Sequence, residues 1–351
     1  MIEQSRWLLL SDGARPTEDI YFLASVVPLL RSAGHDAGRL DVRGWRWRLA
    51  RWVLTRQPGA HLVLCRTLPA HALRWLERYR EAFGRIVYVI DDDLAAASED
   101  PGLPPAYRKR MARAARQQPR LLALADEVVA CSPALAGQLR ERHANVRIMT
   151  PPLIAPLPDL THLAHGPSRA RPWRIGFYGT RAHGNDLNRI APALEAIQRE
   201  RHDTELELML GEHAPGELAA LPRTVCPAPL SWKKFRAWQA HRRVHIGLAP
   251  LLGTPFNRSK SFIKFLDIAA MGGVGIYSRR APYTDIVEHG VNGLLAGDDP
   301  GEWQRTIEWL LDNPGKACHM SAQAASDAKQ VGDLSRSTTV WLQRSLPIVR
   351  P

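Results

Sequence analysis

Lys260, Lys264 and Asp267 have the types and the spacing to hold a phosphorylated ligand. In the run Asn257-Arg258-Ser259-Lys260-Ser261-Phe262-Ile263-Lys264-Phe265-Leu266-Asp267, a loop is expected to enter a helix spanning residues 261–271. At about 100° per residue, Lys264 lies roughly 40° from Lys260 and Asp267 roughly 20° back, so the three charges would share one face. Phe262, Ile263, Phe265 and Leu266 make the remainder apolar. Two ammonium groups beside a helix N-terminus suit a phosphate or diphosphate, because free N–H groups and the helix dipole also favour negative charge there. The carboxylate one turn on can accept hydrogen bonds from a sugar hydroxyl. The competing reading is an amphipathic helix with a solvated charged face, since charge pairs at this separation are common. Composition favours the first reading: basic residues are mostly Arg, and Lys occurs only at positions 109, 233, 234, 260, 264, 316 and 329. Two lysines within one turn point to a site that wants a compact ammonium.

A second concentration of charge closes Val87-Tyr88-Val89-Ile90-Asp91-Asp92-Asp93-Leu94, an apolar strand ending in three carboxylates. Hard oxygen ligands at Asp-x-Asp spacing suit Mg²⁺ or Mn²⁺ against a diphosphate. The same Asp91, Asp92 and Asp93 could instead line a cleft, positioning an acceptor hydroxyl or countering charge, or simply cap the strand end. Asp12 and Gly13, which follow the first expected strand, are assigned to that cleft. Gly179 and Thr180 stand at another strand-to-helix turn, where a residue without Cβ lets the backbone approach a phosphate; a plain tight turn would use glycine too.

The elements that must position these groups alternate. Short runs rich in Val, Ile and Leu, separated by helical stretches, mark parallel sheets built from βαβ units. Strands are expected near residues 7–10, 61–65, 86–90, 127–130 and 146–149, with helices near 18–31, 69–83, 105–124 and 133–142. A proline-dense, aperiodic stretch at 151–172 reads as a linker. A second series has strands near 174–178, 205–210, 245–249, 274–277 and 293–296, with helices near 186–199, 231–242, 261–271 and 302–311. A terminal helix is expected over 334–344. The expected organisation is therefore an N-terminal domain over 1–150, the linker, a second domain over 173–331, and a helix within 332–351 that could cross back to the first domain. The expected architecture is two Rossmann-like doubly wound parallel-sheet domains facing a cleft, with ligands at the carboxyl ends of the strands.

The 351 residues suffice for two such domains. A hydrophobic fraction of 45% and a charged fraction of 23% are those of a soluble globular chain. No apolar run is long enough to cross a bilayer and no signal-peptide pattern opens the chain, so a cytoplasmic location is expected. Cys65, Cys131, Cys226 and Cys318 are scattered, without Cys-x-x-Cys pairs, and read as small core residues. The formal net charge of +12 would attract phosphorylated substrates, anionic lipid or nucleic acid. Its densest part is Arg43-Gly44-Trp45-Arg46-Trp47-Arg48-Leu49-Ala50-Arg51-Trp52. Such a segment could dock at a membrane interface through Trp45, Trp47, Arg48, Arg51 and Trp52, or be a helix with tryptophans inward and arginines solvated. No nucleic-acid motif accompanies it, and no nucleic-acid partner is expected.

Three blocks occur in order across 174–311: Ile175-Gly176-Phe177-Tyr178-Gly179-Thr180-Arg181-Ala182-His183-Gly184-Asn185-Asp186; Gly247-Leu248-Ala249-Pro250 through Asn257, Lys260, Ser261, Lys264 and Asp267; and Ile276-Tyr277-Ser278, Tyr283 and Val291-Asn292-Gly293-Leu294-Leu295. In that order they resemble the donor-binding domain of GT-B glycosyltransferases. The pattern is similar to that of the large retaining family (group 1, family four) of many bacterial polysaccharide enzymes, in a subgroup with an Asn-x-x-Lys-Ser-x-x-Lys-x-x-Glu core. The resemblance implies that Lys260 and Lys264 face the donor diphosphate and that Asp267 replaces the glutamate holding the ribose hydroxyls. Gly179, Thr180, Arg181, Asn257 and Ser261 would complete the donor site, and His183, Asp92 and Lys260 are the expected catalytic groups. A lone His183 is equally read as structural.

Three departures stand out. Asp267 is a methylene shorter than glutamate, Ser259 occupies the place of a second carboxylate, and Gly272-Gly273-Val274-Gly275 lacks the proline that commonly precedes the strand. The implied activity is retaining transfer of a hexosyl or deoxyhexosyl group from a nucleoside-diphosphate sugar to a glycan or lipid-linked acceptor in cell-surface polysaccharide synthesis. Neither metal nor cofactor is expected, and the leaving phosphate would take the acceptor proton. Rival readings are a sugar-nucleotide epimerase of the same architecture and a non-catalytic polyanion-binding scaffold.

Overall fold

The computed structural model describes residues 5–336 and Trp341. Its frame is two six-stranded sheets in which every strand pair is parallel. The first has the order β2-β1-β3-β4-β5-β6, from β1 (Arg6–Ser11), β2 (Asp36–Asp41), β3 (His61–Cys65), β4 (Ile86–Ile90), β5 (Glu127–Ala130) and β6 (Val146–Ile148). The second has the order β12-β11-β10-β7-β8-β9, from β7 (Trp173–Phe177), β8 (Thr204–Leu208), β9 (Thr224–Val225), β10 (Ile246–Ala249), β11 (Val274–Ser278) and β12 (Leu294–Ala296). Helices cover both faces, so central strands such as β4 are buried at every position and read in sequence as unbroken apolar runs. The two sheets face each other across a cleft, as the alternation of strand and helix predicts.

The ten strands expected from apolar runs are present, with ends shifted by no more than one or two residues. The two not foreseen, β2 and β9, are edge strands. In β2, Asp-Ala-Gly-Arg-Leu-Asp, every position but Ala37 is half-exposed and apolar content is low, so no run announces it. The single helix expected over 18–31 is corrected to three pieces: Arg15–Glu18, a π-type turn at Asp19–Leu23, and Val26–Ser32. Ser25 Oγ donates to the Ile20 carbonyl at 2.7 Å, and Pro28 has no N–H to continue a ladder through this bend. A helix at Pro314–Val331 also went unforeseen, because its buried face is largely alanine and gives a weak periodic signal. Most of the helix expected over 334–344 lies outside the described residues; residues 334–336 and Trp341 are helical. Trp341 is buried in the core beneath the first sheet, 5.6 Å from the Trp7 ring and 5.0 Å from that of Phe22. Cys65 and Cys131 are buried, whereas Cys226 and Cys318 are only partly so.

Candidate active site

Open parallel sheets hold ligands beyond the strand carboxyl ends, where strand order reverses and neighbouring connections diverge. The reversal falls between β1 and β3 in the first sheet and between β7 and β10 in the second. Asp12 and Gly13 follow β1, Arg66 and Thr67 follow β3, and Asp91 to Asp93 follow β4. Asp12, Gly13, Arg66 and Thr67 line a cavity of about 530 Å³ whose other wall is the Pro105–Leu124 helix. Asp12 accepts a hydrogen bond from Thr67 Oγ1, and burial pushes its carboxyl above the ordinary range.

The three consecutive aspartates diverge. Asp91 accepts from Thr17 Oγ1 at 2.6 Å, and Asp92 accepts from Arg66 Nη2 at 2.8 Å. Asp93 caps the Leu94–Glu99 helix, accepting the Ala96 amide at 2.9 Å. Its side chain is therefore spent on the helix, and among the described residues no three His, Cys, Asp or Glu side chains converge as a metal set. Burial pushes the Asp91 carboxyl up; at Asp92 burial is outweighed by Lys260 and Arg66, which hold its carboxyl below the usual range. Arg66, absent from the expected site, joins both carboxylates from a left-handed backbone (φ 59°), a conformation unusual for a residue with a side chain. Its place directly after an apolar strand was the available signal, the same one that singled out Asp12 and Asp91.

Across the cleft, Thr254 Oγ1 accepts the Asn257 amide and caps the short Pro255–Arg258 helix. The next helix begins only at Ile263. Ser132, just after β5, donates its Oγ to the Ser259 carbonyl at 2.7 Å, tying the loop before Ile263 to the first half. The shared face expected for Lys260, Lys264 and Asp267 is thus corrected. Lys260 lies in the loop, its Nζ donating to Asp92 Oδ1 at 2.6 Å and standing 4.0 Å from the Phe256 ring centroid. Burial opposes its charge, and Asp92, Tyr107 and Asp91 together more than offset this, so its pKa is raised. Lys264 and Asp267 do pair on the helix, at 3.0 Å. Lys264 Nζ also donates to the Tyr178 carbonyl at 2.6 Å, and Gln239 donates to Asp267 at 3.1 Å. Ser261 Oγ accepts from Tyr21 at 3.5 Å.

Lys264 lines a second, small cavity of about 30 Å³ with Tyr178, Gly179, His183, Pro250 and Tyr283, at the reversal between β7 and β10. A Cβ on Gly179 would stand 2.5 Å from the Phe177 ring, so glycine is required for the chain to pass there. Thr180 and Arg181 are exposed beside it. His183 Nδ1 is 2.7 Å from Asp186 Oδ2, while Asp186 Oδ1 accepts from Asn257 Nδ2 at 3.0 Å and the Leu252 amide at 2.8 Å. The buried Asp186 thereby ties the turn after β7 to the loop after β10.

In the basic-aromatic segment, the helix Arg46–Thr55 exposes Trp45, Leu49 and Trp52, by 74%, 59% and 53%. Trp47 departs from the expected interfacial set: it turns inward, edge-on to Trp75 at 5.6 Å. Arg48 and Arg51 are exposed. Among the described residues, no helix is long and apolar enough to cross a membrane.

No protein-family model matches this chain, and no curated protein matches it. Solved structures do. The chain is similar to sucrose-phosphate synthase from Thermosynechococcus elongatus at 12% identity and a TM-score of 0.67, covering 97% of this chain and 98% of that one. It is similar to the Anabaena protein HepE in complex with UDP-glucose at 14% identity and a TM-score of 0.59, covering 95% and 97%. It is likewise similar to an α,α-trehalose-phosphate synthase (UDP-forming) from Burkholderia vietnamiensis at 10% identity and a TM-score of 0.61, covering 96% and 99%. The likeness extends over both halves of the chain and shows a shared fold, the GT-B arrangement of two facing Rossmann-like domains.

Proposed function

We propose that this chain is a retaining, metal-independent glycosyltransferase. It would move a hexosyl or deoxyhexosyl group from a nucleoside-diphosphate sugar to a glycan or lipid-linked acceptor in cell-surface polysaccharide synthesis. One observation carries the reading: Lys264 and the glycine turn at Gly179 stand at the strand reversal of the second sheet, a polar pocket stands at the reversal of the first, and the Asp92–Lys260 bond joins the two halves. A diphosphate suits the second site because the Lys264 ammonium lines it. The likeness in fold to a protein solved with UDP-glucose agrees with this.

In this reading Lys260 and Lys264 neutralise charge that builds on the departing diphosphate, and closure of the two halves dries the site and strengthens that effect. Thr180, Arg181, Asn257 and Ser261 frame the donor, and Asp267 is offered to its ribose. Oriented by Asp186, His183 is set beside the sugar. Asp92, ionised and paired with Lys260, keeps the loop cation in place until phosphate competes for it. The cytoplasmic face of a membrane is where the exposed Trp45–Trp52 surface would bring the enzyme to a lipid-linked acceptor.

Thermal shifts against UDP-, GDP-, dTDP- and ADP-sugars test the donor assignment, because a ligand bound only by the folded state raises stability by mass action. One nucleotide should stabilise the protein, and Lys264→Ala should weaken its affinity by about tenfold or more, the range of a lost charge-assisted hydrogen bond. Full donor affinity in both Lys260→Ala and Lys264→Ala, with folding verified by circular dichroism, would sink the assignment. Release of an altered sugar nucleotide without acceptor would support the epimerase in its place.

A further inference from the structure

The 530 Å³ cavity of the first half carries a charge that neither the fold nor the donor site uses. Along its helical wall, Arg110, Arg113 and Gln117 follow one another at intervals of three and four residues and so share a face. None of the 20 residues of that helix is acidic. On the opposite wall the polar groups are already engaged: Arg66 with Asp91 and Asp92, and Asp12 with Thr67. Arg43, whose guanidinium lies against Gly13, is paired with Asp41. Among the described residues, Asp12 is the one acidic group lining the cavity. Arg110 stacks on Tyr107 at 4.8 Å, and among the described residues neither it nor Arg113 lies within ion-pair distance of a carboxylate. Two guanidinium groups at a cavity rim, free of acidic partners, match the planar, bidentate geometry of phosphate and carboxylate oxygens.

We propose that this cavity receives an acceptor carrying an anionic group, a phosphate or a carboxylate, which Arg110 and Arg113 hold while Asp12 and Thr67 meet the neutral hydroxyls beside it. The acceptor role rests on the glycosyltransferase reading; the anion site itself does not. Its consequence is selectivity: a neutral sugar would fill the same space without satisfying the two cations.

Calorimetric titration with glucose 6-phosphate, glucuronate and glucose tests this. At least one anionic sugar should bind, about tenfold or more tighter than glucose, since charge-assisted bonds are roughly twice as strong as neutral ones. Which of the two prevails separates phosphate from carboxylate. The double variant Arg110→Ala/Arg113→Ala should lose that preference, while Arg116→Ala, on the same helix but off the cavity, and Lys264→Ala should both retain it. Equal binding of all three sugars, no binding of any, or an unchanged preference in the double variant overturns the proposal. Loss of the preference in Lys264→Ala also overturns it, because the anion would then occupy the donor site. If anionic sugars bind as expected but no nucleotide sugar does, the anion site stands and the transferase reading falls. Donor binding without an anion preference overturns the anion site and leaves the transferase reading standing.

Discussion

Lys260 is one of the residues at which the two halves meet, and its environment explains both its charge and its position. A buried ammonium survives because Asp92 lies 2.6 Å away, and Asp92 stays ionised because Arg66 supports it from the other side. A different, half-buried group makes stability depend on acid. His245 stacks on Trp173, and its Nδ1 accepts the Arg174 amide at 2.8 Å, a bond that protonation would break. Burial, with His162 and Arg174 nearby, holds its pKa down to about 3. The unfolded chain, with a histidine pKa of about 6.5, takes up the proton first. His245 therefore costs nothing above about pH 6.5, and stability falls as pH drops from there toward about 3, by at most about 1.4 kcal/mol per unit. Burial shifts His61 and His162 in the same direction. Urea unfolding of His245→Gln across this window should show a shallower slope than the parent chain; an identical slope would refute the assignment.

At the level of elements, the helix Ile263–Ala269 is the part that couples packing to chemistry, because it carries Lys264 and Asp267 and, one turn on from Lys264, the buried Ile268. Gly247 of β10 lies directly beneath it. A Cβ there would stand 2.5 to 2.7 Å from three atoms of the Ile268 side chain, which is buried and has no room to swing aside. Gly247→Ala should therefore destabilise by about 1–3 kcal/mol, the usual cost of overpacking. By displacing the helix it should also weaken nucleotide-sugar binding, whereas Gly137→Ala, where a new Cβ meets nothing within 4 Å, should leave binding unchanged. Denaturation midpoints and calorimetry on the two variants check this. Regular elements of this kind were legible in sequence wherever burial on both faces forced an apolar run. The start of this helix was not, because Ser259 and Lys260 before it are held by Ser132 and Asp92, 127 and 168 residues away.

For the whole molecule, hydrogen bonds distant in sequence join the halves: Ser132 to Ser259, Asp92 to Lys260, Trp232 to Asp19 at 2.5 Å, and Asn185 to Gly102 at 2.8 Å. Phe256, from the second half, belongs to the core beneath the first sheet. The net charge of +12 acts at this scale too. With Trp47 turned inward, the outward face of the Arg46–Thr55 helix is Trp45, Leu49 and Trp52 flanked by arginines, the chemistry of an anionic lipid surface. Sedimentation with phosphatidylglycerol vesicles should pull down the parent chain more than phosphatidylcholine vesicles do. The triple variant Trp45→Ala/Leu49→Ala/Trp52→Ala should lose that binding with an unchanged melting temperature, since these side chains are exposed; undiminished binding would rule the face out.

By itself the sequence determined the two alternating αβ halves, ten of the twelve strands, and the position of Lys264 and Asp267 on one helix. Those features follow from local periodicity and from burial on both sides of a sheet, which leave their mark in consecutive residues. Only the tertiary structure decided that Lys260 leaves the helix to meet Asp92, that Asp93 serves as a cap while Asp91 and Asp92 share Arg66, and that Trp47 faces inward. The Lys260 and Arg66 pairings depend on which partner arrives from another element, and a hydrogen bond between elements distant in sequence leaves no trace in the spacing of either residue.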